Sequence, residues 1–181
     1  IVHAQTPAIV LDQGAFGAGI SNQALAFVAG RHLTSFRPGF YVRHLVPTGT
    51  GLKAWLFAAI KLCVPQFPVS GDLQHAVAEA MQAMAADFKG ADKDLLTSVV
   101  SKLLQAGGAL DLKKWVAAID LTGDRVGLLL GHDLQVATEI IRSSEEAASV
   151  AVKERMKDLV LFSVSDEYFR LRQKLAVTID G

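Results

Sequence analysis

The sequence contains few of the residues that define several common protein classes. Its 181 residues include one cysteine, Cys63, which excludes an internal disulfide framework and favours a reducing compartment. We therefore expect a cytoplasmic location. Aromatic residues make up 7% of the chain and hydrophobic residues 51%, a balance that favours packed helices over a β-sandwich or barrel. A chain of this size can form one core, so the sequence predicts a single domain over residues 1–181.

The sequence also lacks a surplus of either charge and any long apolar run. Lysine plus arginine equals aspartate plus glutamate at 18 each, which excludes nucleic acid as an obligatory partner. No apolar run approaches the roughly 18 residues of a membrane span. The mean hydropathy of +0.32 nevertheless exceeds that of most domains, so we expect a protein partner or neighbouring domains of the same chain to cover part of the surface. The start at Ile1 suggests a piece of a longer protein.

Periodicity and capping residues predict a fold of the α+β class that is predominantly helical, with about eight helices and a small N-terminal strand element. The strand is expected over residues 7–12, within an apolar segment that a glycine-rich connection follows. Ser21 is a suitable N-cap for a first helix that extends to about Phe36. The other expected helices cover residues 40–45, 51–64, 72–89, 92–105, a periodic segment from Leu112 to Gly131, and residues 146–162 and 165–175.

Three glycines lie four residues apart on the periodic helix: Gly123, Gly127 and Gly131. Each glycine inside a helix costs about 1 kcal/mol relative to alanine, so a row of three needs a compensating reason. The simplest reason is a second helix backbone that approaches closely along this row. Gly30, in the first helix, is the natural counterpart. The acidic residues Asp120 and Asp124 lie beside the row and should therefore face the first helix.

Several segments together resemble the M48-type zinc metallopeptidase domain in order and spacing. They are the strand and glycine-rich connection of residues 7–19, the helix within residues 27–38 and the later helix within residues 118–130. In that family the first helix carries H-E-x-x-H and the later one E-x-x-A-D. The matching positions here are Arg31, His32 and Ser35 in the first motif, and Asp120 and Asp124 in the second. The resemblance implies a zincin-type scaffold whose metal ligands have been replaced.

The replaced positions imply the loss of zinc chemistry. A catalytic zinc needs two neutral imidazoles one helical turn apart, a third ligand and an open position for water. Arg31 stands at the first histidine position and cannot lose its proton to bind a cation. His32 stands at the position of the general base, and Ser35 at that of the second histidine. The resemblance therefore predicts no catalytic residue, no bound metal and no cofactor.

A closer resemblance is to degenerate M48-like domains at the C-terminal end of large bacterial tetratricopeptide-repeat proteins, carried by residues 157–169. It implies a non-catalytic interaction or regulatory module. Two alternatives stay open: a residual metal-dependent hydrolase that uses His32 with Asp120 or Asp124, and a plain helical scaffold whose resemblance is accidental. Taken alone, His32 is more typical of a hydrogen-bonded core residue, and two acids one turn apart of a solvated helix face.

The two retained acids lead to one specific structural prediction. Removal of a metal from a cleft that keeps two carboxylates would leave buried negative charge uncompensated. A guanidinium at the first histidine position restores neutrality, and its planar fork suits carboxylates better than an ammonium group. We therefore predict an ion pair of Arg31 with Asp124, shared with Asp120, that occupies the space of the lost metal.

Overall fold

The computed structural model describes residues 8–9, 19–85, 89–107, 111–144 and 149–176. The described part is predominantly helical, as the sequence predicts, and contains nine α-helices and two short 3₁₀ helices. The α-helices are α1 (Asn22–Leu33), α2 (Tyr41–Leu45), α3 (Gly49–Cys63), α4 (Gln74–Ala85), α5 (Ala91–Gln105), α6 (Leu112–Gly131), α7 (Leu134–Ser143), α8 (Val152–Ser163) and α9 (Asp166–Lys174). The 3₁₀ helices are Thr34–Phe36 and Gly71–Leu73.

The predicted N-terminal strand falls largely outside the described residues. Of residues 7–12, only Ala8 and Ile9 are described; Ala8 is an isolated bridge position and Ile9 has no regular structure. Within the described residues no continuous strand is present, so the fold class that the structure supports is the helical one. The glycine-rich connection also lies outside these residues, apart from Gly19.

The first helix begins where the sequence predicts and ends earlier. Ser21 accepts a hydrogen bond from the backbone N–H of Ala24 at 3.1 Å, the geometry of an N-cap. The α-helical geometry ends at Leu33 rather than Phe36, and the chain tightens into the 3₁₀ turn. At this junction the hydroxyl of Thr34 donates to the carbonyl of Arg31 at 2.5 Å, which satisfies one of the last helical acceptors.

Two further differences concern the C-terminal third of the chain. The amphipathic helix α7 was not predicted as a separate helix: α6 stops at Gly131, and Asp133 caps α7 by accepting from the N–H of Val136 at 2.9 Å. The predicted helix over residues 146–162 begins only at Val152. Before it, the N–H and hydroxyl of Ser149 both donate to Asp120.

Backbone contacts divide the chain into two compact units, Ile1–His44 with Lys114–Gly181, and Leu45–Lys113. The core of the first is formed by buried residues of α1, α6, α7, α8 and α9, among them Phe27, Leu128, Ile141, Leu159 and Tyr168. The core of the second is formed by Ala54 and Ala58 of α3 and by Val77 and Ala80 of α4, with Leu73. The single domain predicted over residues 1–181 stays a prediction, because this division concerns compactness alone.

Candidate functional site

The helices that carry Arg31 and Asp124 cross closely in the first unit. A Cβ added at Gly30 of α1 would lie 2.9 Å from the carbonyl oxygen of Val126, and one at Gly127 would lie 2.8 Å from the carbonyl oxygen of Phe27. Gly131 is equally tight, with the carbonyl oxygen of Gln23 at 2.8 Å. Gly123 has more room, because its nearest neighbour is the Thr34 hydroxyl at 3.4 Å. The glycine row therefore brings the α1 and α6 backbones together most tightly at its C-terminal end.

This crossing places Asp124 in the interior, between two guanidinium groups. The Asp124 side chain is 0% exposed and that of Arg155, on α8, is 1% exposed. Arg155 donates through Nε to Oδ2 and through Nη2 to Oδ1, both at 2.7 Å. Arg31 Nε lies 2.9 Å from Asp124 Oδ1, and its side chain is 17% exposed. The Nε of Arg31 is close enough to Asp124 for an ion pair but is not aligned for a hydrogen bond. Arg155, in contrast, forms two aligned hydrogen bonds with the same carboxylate.

Asp120, one turn earlier on α6, is held by other partners. Its Oδ2 accepts from the N–H of Ser149 at 2.8 Å and from the Ser149 hydroxyl at 2.7 Å. Its Oδ1 lies 3.8 Å from Nε of Arg43, on α2. Among the basic residues near the two acids of α6, Arg31 thus lies at Asp124 and Arg43 at Asp120. The sharing of Arg31 between both acids stays a prediction.

The remaining positions of the first motif lie at the end of α1. His32 is half-buried within the last α-helical turn, and Ser35 is half-buried within the 3₁₀ turn of Thr34–Phe36. A helical pair of zinc ligands must lie on one face of an α-helix at positions i and i+4. Because 3₁₀ geometry rotates each residue by more than α geometry does, the direction of Ser35 differs from that of a fourth residue in a continuous α-helix.

A second, partly exposed ion pair lies beside the first, with the arginine on α6 and the aspartate on α8. Arg125 follows Asp124 on α6, and it donates through Nε to Oδ2 of Asp158 at 2.8 Å and through Nη2 to Oδ1 at 2.5 Å. The hydrogen bond to Asp158 raises the pKa of Arg125 above its ordinary value. The same guanidinium lies 5.3 Å from the ring centroid of Phe162. Helices α6 and α8 are therefore joined by two antiparallel charge pairs.

Sequence reasoning identified Arg31 and Asp124 but missed Arg155, the main partner of the buried acid. A signal existed: Asp124-Arg125 on one helix is matched by Arg155 and Asp158, three residues apart, on another. Residues at i and i+3 lie on one helix face, so the second helix can present its arginine and its aspartate to the first. Nothing in the sequence alone, however, pairs these two helices in space.

The resulting site is an arginine–carboxylate cluster. Three guanidinium groups, of Arg31, Arg43 and Arg155, face the carboxylates of Asp120 and Asp124. In the described ranges, no three or more histidine, cysteine, aspartate or glutamate side chains come close enough together to hold a metal ion. The arrangement joins α1, α2 and α8 to α6.

Comparison of the chain with protein-family models, with curated proteins and with solved structures finds no match. The M48-like scaffold therefore remains an expectation from the sequence motifs. Among the described helices, none combines the length and the apolar character that crossing a membrane would require.

Proposed function

We propose that this chain is a non-catalytic interaction or regulatory module, built on an M48-like scaffold that has exchanged its zinc ligands for an ion-pair cluster. The observation that carries the proposal is the burial of Asp124 between Arg155 and Arg31. In the zinc peptidases that the sequence resembles, the later helix turns carboxylates toward the metal and its ligands. The same acid in this chain accepts two hydrogen bonds from one guanidinium and lies beside another.

Electrostatics also supports a role without catalysis. A divalent cation that entered the cluster would be repelled by three guanidinium groups, and none of them can be deprotonated to relieve the repulsion. A cation would also have to displace Arg155 from Asp124, which would leave the guanidinium buried and unpaired. We propose a protein or a neighbouring domain as the partner and a cytoplasmic location for the complex.

Two other functions compete with this proposal. A residual hydrolase would need His32 and an acid of α6 around a metal, and the two acids are already engaged by arginines. If the chain were a plain helical scaffold, nothing would require the two helices that carry the motif positions to contact each other. The close crossing at Gly30 and Gly127 favours the first proposal over the scaffold, because it is the contact that the motif spacing requires.

Zinc binding and peptide cleavage, measured on the same purified protein, test the proposal. We expect far less than one equivalent of zinc by elemental analysis after dialysis against zinc, and no cleavage of casein or of a quenched fluorescent peptide library. The matched variants are His32→Ala and Asp124→Asn. One equivalent of zinc in the wild type that both substitutions remove, together with cleavage lost in parallel, would establish the hydrolase instead.

A further inference from the structure

A histidine at the end of α6 is bonded to an arginine of α9. His132 has a φ of 60°, a left-handed conformation that ends the helix, and its N–H donates to the carbonyl of Leu128 at 2.8 Å. Its Nδ1 is in hydrogen-bond contact with Nη1 of Arg172. A guanidinium has only donors, so Nδ1 must act as the acceptor. The contact therefore requires a neutral imidazole with its proton on Nε2.

The arginine of this contact is one of the two residues that anchor α9. Within α9 only Tyr168 and Arg172 are buried, with Leu171 half-buried. Arg172 Nη1 also donates to the hydroxyl of Tyr168 at 3.0 Å, and its guanidinium lies 5.6 Å from the Tyr168 ring centroid. The polar contact with His132 is therefore made by one of the two buried residues through which α9 is attached.

Charges around the imidazole oppose its protonation overall. Partial burial and the positive charge of Arg172 on α9 lower the pKa of His132 from its ordinary value, while Asp133 at the start of α7 acts in the opposite direction. The Asp133 carboxylate is occupied as the N-cap of α7. On the other side of Arg172, the Tyr168 hydroxyl accepts a hydrogen bond from the same guanidinium.

We infer that His132 and Arg172 form an acid-sensitive latch that holds α9 against the end of α6. A proton taken from solvent by Nδ1 turns the acceptor into a donor and sets an imidazolium against a guanidinium. The hydrogen bond is lost and like charges meet, so α9 is released in acid. Tyr168 packs edge-on against Phe162, with ring centroids 5.3 Å apart, so release uncovers apolar surface of the first unit's core.

Amide hydrogen exchange of the full chain tests the latch. We expect protection of the α9 amides, corrected for intrinsic exchange, to fall about tenfold between about pH 7.5 and about pH 5.5, because a lost charged hydrogen bond is worth about that factor. Protection in α3 and α4 should not follow. His132→Asn tolerates the left-handed conformation and keeps an acceptor without titrating, so its α9 protection should not change with pH.

His75→Asn is the matched control, because His75 is 88% exposed and lies outside the first unit. This variant should keep the full acid response. If His132→Asn does not fold, Arg172→Gln provides a second test. A neutral amide beside His132 removes the charge repulsion, so the loss of α9 protection in acid should be smaller in this variant. Equal α9 protection at both pH values in the wild type overturns the latch. The latch is also overturned if α9 protection falls in acid as much in His132→Asn as in the wild type. If Arg172→Gln is the variant measured, the same result in that variant overturns it.

Discussion

Arg155 and Asp124 form a two-pronged ion pair in the interior of the first unit, with both N···O distances at 2.7 Å and neither side chain more than 1% exposed. Charges at such depth are tolerated only with full pairing, because removal from water costs several kcal/mol per ion. The pair joins α8 to α6, and Arg31 brings α1 to the same carboxylate. Three helices therefore depend on one aspartate.

The two arginines at Asp124 should differ in their contribution to stability. Arg155→Ala leaves a buried carboxylate without its aligned donors and should lower the free energy of unfolding by about 3–5 kcal/mol. Arg31→Ala leaves the aligned pair in place and should cost about 1–2 kcal/mol. Urea denaturation of both variants measures the difference. Arg170→Ala is the control, with a 66% exposed side chain and an expected loss below about 1 kcal/mol. An Arg31→Ala loss equal to that of Arg155→Ala would contradict this ranking.

Alanine substitutions along the glycine row should differ in their effect on stability according to their position. Gly127→Ala would force a Cβ to 2.8 Å from the Phe27 carbonyl oxygen and should destabilise the fold by about 2 kcal/mol or more, since the helix backbones would have to separate. Gly123→Ala meets its nearest atom at 3.4 Å and also gains up to about 1 kcal/mol of helix propensity. Its stability should equal or exceed that of the wild type. Thermal unfolding of the two variants provides the comparison, and similar melting temperatures would show that the crossing is looser than the structure has it.

The reversed pair, Arg125 with Asp158, should contribute less than the buried one. The Arg125 side chain is 43% exposed, so solvent screens its attraction to Asp158. A double-mutant cycle with Arg125→Ala and Asp158→Ala should give a coupling of about 0.5–1 kcal/mol, and the value should shrink in high salt. A coupling above that expected for Arg155 and Asp124 would be inconsistent with the exposure of the two pairs.

The free energy of unfolding should decrease at acidic pH because of His132. Its pKa in the folded state lies below the ordinary 6.5, so the unfolded chain takes up the proton first as the pH decreases. The contribution of His132 to the free energy of unfolding is fully present above pH 6.5, and it is lost as the pH falls through the folded-state pKa. Unfolding free energies measured from about pH 5 to about pH 8 should have a smaller slope in His132→Asn than in the wild type. Identical slopes would indicate that this histidine has the same pKa in both states.

Part of the helical architecture could be predicted from local signals. Ser21, the predicted N-cap, accepts a hydrogen bond from a first-turn backbone N–H and so begins α1. The third helix was predicted from residue 51, but it begins at Gly49, where Thr48 is the N-cap. Residue Leu112, where the periodic pattern starts, is also where α6 begins. The bonds of Ser149, which precedes α8, to Asp120, 29 residues earlier in the chain, could not be predicted. Local propensity carries no information on such a partner.

The sequence by itself determined a helical fold with a glycine row on α6, and it identified Arg31 and Asp124 as residues of one site. Periodicity, caps and glycine spacing express short-range preferences that act wherever the chain lies. Only the tertiary structure decided that Arg155 donates hydrogen bonds to Asp124 and that Arg43 and Ser149 contact Asp120. The same holds for the hydrogen-bond contact of His132 with Arg172. Those contacts join residues from 29 to 77 positions apart, and a buried charge takes whichever partner the packing of the helices brings within reach.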